Sequence, residues 1–152
     1  MEELNLGCGR DYKAGCYNLD YCDRYKVDGI LDLNDANWGL EPKKYEVVYA
    51  LDVVEHLDDL INFMNNCHDI IKPGGKLIIK TPHKDSDNSW TDPTHKLHLT
   101  EYSLNYFCMG TDLQIKYWLT DKMWKMTMKA IDRDYNIIFE LEPIVDGYIE
   151  KV

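Results

Sequence analysis

The chain has 152 residues, 45% of them apolar and 29% charged, the composition of a soluble globular protein, and its length predicts one domain spanning 1–152. A chain of this size buries about two-thirds of its surface on folding without disulfides or metals to staple it. Twenty-seven acids against 17 basic residues give a net charge of −10, which disfavours nucleic acid as a partner, because gripping a phosphate backbone rests on Lys and Arg.

In chain order, Leu4–Leu6 is predicted as the first strand and runs straight into Gly7-Cys8-Gly9. Cys16–Asp20 is predicted as the second and ends on an acid. Only Arg10 to Gly15 separate them, where a parallel crossover normally needs about a dozen or more residues including a helix. The first crossover helix is therefore expected to be reduced or absent. Gly29–Leu31 is a short third strand before the polar stretch LNDANWGLEP, and Tyr45–Ala50 a buried fourth. Leu57, Leu60, Ile61, Met64 and Ile71 then recur at helical spacing, a helix stopped by Lys72-Pro73-Gly74-Gly75. Lys76–Lys80 is a fifth strand. This alternation predicts an α/β fold, a mostly parallel sheet with helices packed on its faces.

Beyond Thr81 the pattern changes. Pro82 to Leu99 is polar and aperiodic and carries His83, His95 and His98; a loop of that length inside a compact domain is usually functional. Thr100 can cap a helix through about Met109, ended by Gly110. Residues 124–144 read as two strands around a turn near Arg133–Asn136, an antiparallel hairpin at or near the sheet edge. The apolar edge of that hairpin allows a homodimer. The five cysteines are odd in number and form no CxxC pair, so reduced thiols are expected and neither a disulfide framework nor a metal site is. The longest apolar runs fall far below the ~18 residues of a membrane span. With the first strand starting at Leu4, no targeting segment is expected ahead of it, and a cytoplasmic location follows.

Gly7 and Gly9 let the backbone turn sharply and approach a ligand that a Cβ would hold away. Asp20, at the tip of the neighbouring parallel strand, can accept both hydroxyls of a ribose. Together they describe a nucleoside site at the carboxyl edge of a parallel sheet. A nicotinamide dinucleotide would need G-x-G-x-x-G opening a helix; here Tyr12 holds the third position and no helix has room. No GxxxxGK[ST] occurs, which excludes a P-loop.

Taken in order, LNLGCG, NLD, ILDLND, YEVVYALDVVEHL and IIKPGGKLIIKTP resemble the class I S-adenosylmethionine-dependent methyltransferases from about Glu3 to Pro82. The later DPTHKLHLTEYSLNYF is similar to a segment of small bacterial and viral methyltransferase-like proteins. The resemblance implies a Rossmann-like fold and S-adenosyl-L-methionine as cofactor. It places Gly7, Cys8 and Gly9 along the methionine and ribose side, with Asn5 standing where the family usually has an acid. Asp20 would hold the ribose hydroxyls, and Asp32 with the Leu33 amide would read the adenine edge. Ala50 and Leu51 would meet the methionine amino group, and His56 falls in the Glu-His step after the fourth strand. Each residue also has a structural reading. The glycines suit an ordinary strand-ending turn, Asp35 competes with Asp32, and Asp52 and Glu55 suit the start of a helix. His56 is equally a site wall or a neighbour of a helix cap, and Tyr102, Tyr106 and Phe107 suit core packing.

A sulfonium methyl is already activated, so transfer mainly requires an acceptor aligned with the C–S bond. A hydroxyl acceptor also needs a base, and histidine titrates near neutrality. His95 and His83 are the candidates, with Asp92 as an orienting or basic carboxylate; the structural alternative is an Asp92–His95 turn bonded to itself. Trp90 either covers the pocket or packs. Methyltransferases of amide or base nitrogens resemble one another in [Asp/Asn]-Pro-Pro-aromatic after strand four, where this chain has Leu51-Asp52-Val53-Val54. O-methylation of a small molecule or saccharide is therefore favoured, the glycan acceptor by analogy alone. The alternative class is a non-catalytic binding module or partner subunit, which Asn5 and the shortened first crossover favour.

Overall fold

The computed structural model describes residues 2–145. Strands β1 (Glu3–Leu6), β2 (Cys16–Asp20), β3 (Gly29–Ile30), β4 (Tyr45–Leu51), β5 (Ile71–Pro82), β6 (Trp124–Ile131) and β7 (Asn136–Pro143) form one sheet in the order β3-β2-β1-β4-β5-β7-β6. All pairings are parallel except those of β7, which runs antiparallel to both β5 and β6. The expected mostly parallel sheet with a C-terminal hairpin is present, and its reversed strand lies one place in from the edge.

The fifth strand starts earlier than its apolar run suggests. Tyr45 pairs with Ile71 but Val47 pairs with Lys76, so residues 72–75 bulge out of the ladder. Gly75 makes that detour fit, since a Cβ there would stand 2.8 Å from the Glu46 carbonyl oxygen and from Ile71 Cγ2. The preceding helix, α1 (Leu60–Ile70), is capped by Asp59, whose carboxylate accepts the Asn62 amide at 3.0 Å. It ends one residue before Ile71, which belongs to β5.

Among the described residues, helices cover one face of the sheet, not both. Leu4, Leu6, Leu19, Val48, Ala50, Leu77, Ile79, Ile137, Phe139 and Leu141 are buried against α1 residues such as Phe63, Met64 and Cys67. The alternate positions Val47, Tyr49, Leu51, Ile78 and Ile138 are only half-buried. The cause lies in the crossovers. Among the described residues, the connections β1–β2, β2–β3 and β3–β4 contain no helix. A buried polar pair takes the place of the first one. Asn18 Oδ1 accepts from the Asn5 amide and from the Lys13 backbone N–H, both at 2.9 Å, and its own amide donates to the carbonyls of Lys13 and Cys16.

The segment after β5 also departs from expectation. Residues 82–99 contain a short helix, α2 (Asp87–Thr91), capped by Ser86. The helix expected from Thr100 is only a 3-10 turn, Ser103–Phe107, although Thr100 Oγ1 does accept the Tyr102 amide at 3.1 Å. Ser103 answers by accepting the Thr100 amide at 2.9 Å, and such local side-chain bonds compete with the α ladder. An unforeseen helix, α3 (Asp112–Tyr117), follows with Thr111 as its cap. Among the described residues no helix is long and apolar enough to cross a membrane.

Candidate active site

The carboxyl ends of β1, β2, β3 and β4 converge on a cavity of about 500 Å³. Gly7 turns out of β1 at φ +60°, and a Cβ there would stand 2.5 Å from Val53 Cγ2. Glycine is therefore required both by backbone conformation and by closeness. The Gly9 N–H donates to Asp20 Oδ2 at 2.7 Å, and the Tyr21 N–H to Asp20 Oδ1 at 2.8 Å. Both oxygens are thus oriented and each keeps a lone pair for a ligand hydroxyl. Asp32 accepts the Asn34 amide at 2.9 Å and so fixes the loop after β3.

Of the residues expected at the cofactor, Gly7, Asp20, Asp32, Leu33 and His56 line this cavity together. Gly9 touches it through Asp20. Four others do not line it. Asn5 is buried on the opposite face of β1, donating to the Asp11 carbonyl at 2.8 Å and to Asn18. Cys8 is buried with its N–H on the Leu19 carbonyl. Ala50 is fully buried under the sheet, and Leu51 is half-buried at the end of β4. Leu31, Val53 and Leu57, not singled out by the sequence, supply an apolar wall. Two acids flanking such a wall suit an adenosine, with hydroxyls and the exocyclic amine on the acids and the ring on the leucines.

A second cavity, about 280 Å³, adjoins the first and shares Asp52 and His56 with it. Asp52 sits at φ +58°, an unusual backbone for a non-glycine residue and a form of strain that clusters at functional sites. Its N–H bonds the Lys80 carbonyl at 2.8 Å and its carboxylate pairs with Lys80 Nζ at 3.1 Å. The 3-10 turn Val54–His56 that follows places Glu55 and His56 in the cavity wall. Glu55 is 2% exposed; Oε2 accepts from the Thr81 hydroxyl at 3.0 Å, and Oε1 has no partner among the described residues. Burial pushes its carboxyl up to about 7.

The loop from Asp92 to Leu97 docks onto that turn, its Lys96 and Leu97 amides both donating to the Glu55 carbonyl, at 2.7 and 3.0 Å. Docking carries His95 to His56, the two rings meeting edge-on at 4.7 Å. His95 Nδ1 lies 3.1 Å from the Ser89 carbonyl, which only accepts, so Nδ1 bears a proton and, in the neutral ring, Nε2 carries the lone pair. That Nε2 lies 3.5 Å from Asp92 Oδ2. Thr94 Oγ1 donates to Asp92 Oδ1 at 2.7 Å and stands 3.0 Å from His56 Nδ1, which assigns the proton there too. Burial, then the neighbouring His95, lowers the pKa of His56. The Thr94 hydroxyl, then its amide, lowers that of Asp92. At neutral pH the Thr94 hydroxyl therefore bridges an ionised Asp92 and a neutral His56.

His83 stands apart from both cavities. Its Nε2 lies 2.7 Å from Glu101, Nδ1 accepts the Asp85 amide at 3.1 Å, and the ring packs on Tyr135. With both nitrogens committed it pins the loop and is not available as a base. Trp90, 63% exposed, stacks on His98 at 3.5 Å and lines neither cavity. Asp52 and Glu55, which the sequence suits to the start of a helix, line the smaller cavity instead.

A family model described as a methyltransferase domain matches residues 4–125. The chain is 28% identical over 87 residues to a ubiquinone biosynthesis O-methyltransferase of Bradyrhizobium sp., covering 57% of this chain and 33% of that protein. It is 29% identical over 115 residues to a probable S-adenosylmethionine-dependent methyltransferase of Mycolicibacterium smegmatis, covering 64% and 45%. It thus spans between a third and a half of the length of these two relatives. The crystal structure of a SAM-dependent methyltransferase from Aquifex aeolicus superposes with a TM-score of 0.66 at 12% identity, covering 95% of this chain and 82% of that one, a likeness of fold. With the family match extending over most of its residues and the nucleoside cavity at the expected strand ends, this chain belongs to the class I S-adenosylmethionine-dependent methyltransferases.

Proposed function

We propose that this protein methylates a hydroxyl oxygen of a small-molecule or saccharide acceptor seated in the smaller cavity. The observation that carries the reading is the shared wall: Asp52 and His56 line both the nucleoside cavity and the cavity holding His95 and Asp92. S-adenosylmethionine supplies a methyl group on a sulfonium. Asp20 and Asp32 would hold the nucleoside of that cofactor, in the cavity that shares Asp52 and His56 with the smaller one. His95, kept in the Nδ1–H form by Ser89, takes the hydroxyl proton on Nε2, and the anionic Asp92 stabilises the imidazolium that results. Transfer would form an oxygen–carbon bond and break the carbon–sulfur bond, whose electron pair would stay on sulfur. Similarity to a protein named as an O-methyltransferase supports oxygen as the acceptor atom.

Calorimetric titration with S-adenosylmethionine and S-adenosylhomocysteine, with NAD as control, tests the cofactor site. Micromolar binding that falls at least ~10-fold in Asp20→Ala is expected, because each hydrogen bond to a charged group contributes about 1.5–3 kcal/mol. In a screen of hydroxyl acceptors, His95→Ala should keep that affinity and lose about 10²–10⁴ in turnover. Absence of binding to both ligands would sink the reading. The half-buried sheet face favours one rival, a subunit that is active only with a partner, and cofactor binding without turnover on any acceptor would support it.

A further inference from the structure

We propose that Glu55, His56 and His95 form a binding site for a divalent first-row transition-metal ion on the wall shared by the two cavities. One donor atom from each lies within 4.8 Å of the others. Donors on ~2.1 Å bonds stand roughly 3–3.5 Å apart, so any pair need close by no more than about 1.3–1.8 Å on binding. Glu55 supplies the independent observation: a buried carboxylate oxygen with no partner among the described residues.

The imidazoles are prepared in the same sense. The hydrogen bonds of His95 Nδ1 to Ser89 and of His56 Nδ1 to Thr94 leave both Nε2 atoms as lone pairs. Such outer partners fix the ring orientation of metal-binding histidines. His95 Nε2 also lies 3.5 Å from Asp92 Oδ2, so a cation bound at Nε2 would have a carboxylate beside it. Three carboxylates line the cavity, Asp52, Glu55 and Asp92, against one ammonium, Lys80, already paired with Asp52. Two imidazoles and a carboxylate suit the series from manganese to zinc; magnesium and calcium prefer all-oxygen sites.

Metal binding itself does not depend on the proposed reaction. Its role does rest on that reading: in the metal-loaded protein a hydroxyl on the ion would lose its proton more readily with His95 as a ligand, and the base role of His95 belongs to the metal-free protein.

The full chain, stripped with a chelator, is titrated with Zn²⁺ by calorimetry and with Co²⁺ by visible absorption, with Mg²⁺ for comparison. One Zn²⁺ per chain at micromolar affinity or tighter and a ligand-field band for Co²⁺ are expected, with Mg²⁺ far weaker. Glu55→Gln and His95→Asn should each weaken Zn²⁺ by at least tenfold while S-adenosylmethionine affinity stays within twofold. Should one variant fail to fold, the other decides. Zn²⁺ binding unchanged in the folded variants would place the ion elsewhere on this acidic surface and overturn the proposal. So would wild-type binding no tighter than theirs. If S-adenosylmethionine binds none of these proteins, the cofactor reading fails and the Zn²⁺ comparison still stands.

Discussion

Asn5 shows how far a single residue can be read from a motif. Its position invites a role at the cofactor, yet β1 buries Leu4 and Leu6 under the sheet and turns Asn5 to the other side. There its amide donates to two acceptors, the Asp11 carbonyl and Asn18 Oδ1. An acid at this position would set a carboxylate against two oxygens in a buried site. Asn5→Asp is therefore expected to destabilise the fold by about 2–4 kcal/mol, read as a fall in the urea midpoint, whereas Asn5→Ala loses the bonds but adds no charge and should cost less. A ranking with Asp the milder change would show that the pair does not hold the first crossover. Gly7, Asp20 and Asp32 were legible because their chemistry depends on being at strand ends, which the hydrophobic pattern marks. Glu55 was not, because its importance comes from burial by a loop that begins 37 residues later.

At the scale of elements, α1 is tied to the C-terminal hairpin through one side chain in its last turn. His68 Nε2 lies 3.0 Å from the Met123 carbonyl and 3.2 Å from that of Ile144, the residues flanking β6 and β7. Burial lowers its pKa below the ordinary histidine value. The unfolded chain therefore takes up this proton first as pH falls below about 6.5, and stability is lost progressively until the folded value is reached. Above the unfolded value the contribution is complete. Glu55, whose raised carboxyl acts in the opposite sense over the same range, is common to both proteins, so the difference isolates His68: relative to His68→Gln, which keeps a donor but does not titrate, the wild-type denaturant midpoint should lose ground between about pH 7.5 and 5.5. An identical pH slope in the variant would assign the effect to other groups. The elements that the sequence misplaced share one cause. Thr100–Gly110 has a cap and a stop, but Ser103 Oγ accepts the Thr100 amide, Thr100 Oγ1 accepts the Tyr102 amide, and the turn closes as a 3-10 helix. The docked Asp92–Leu97 loop was equally hidden, because backbone amides donating to a backbone carbonyl leave no mark on residue identity.

Across the whole molecule the sheet is asymmetric, and that follows from chain economy in the first half. The short spacing between β1 and β2 foretold one missing helix; that β2–β3 and β3–β4 also lack one was not legible, since their polar stretches carry neither a helical nor a strand period. The consequence is measurable on adjacent residues of β5. Ile79 is fully buried on the helix-covered face, and Ile78, beside it in sequence, is half-buried on the other. Removing Ile79 to Ala leaves a cavity among Leu77-side neighbours that cannot collapse, an expected cost of about 2–5 kcal/mol. Ile78→Ala removes side chain that water already reaches in part, and a cost nearer 1 kcal/mol is expected from the area involved. Both are read from urea unfolding of the isolated chain. A large gap between them means that the half-buried face is open to water in solution. Equal and large losses, together with a sedimentation coefficient above that of a monomer, would mean instead that a second copy covers the face, occupying the side of the sheet that the described residues leave without helices.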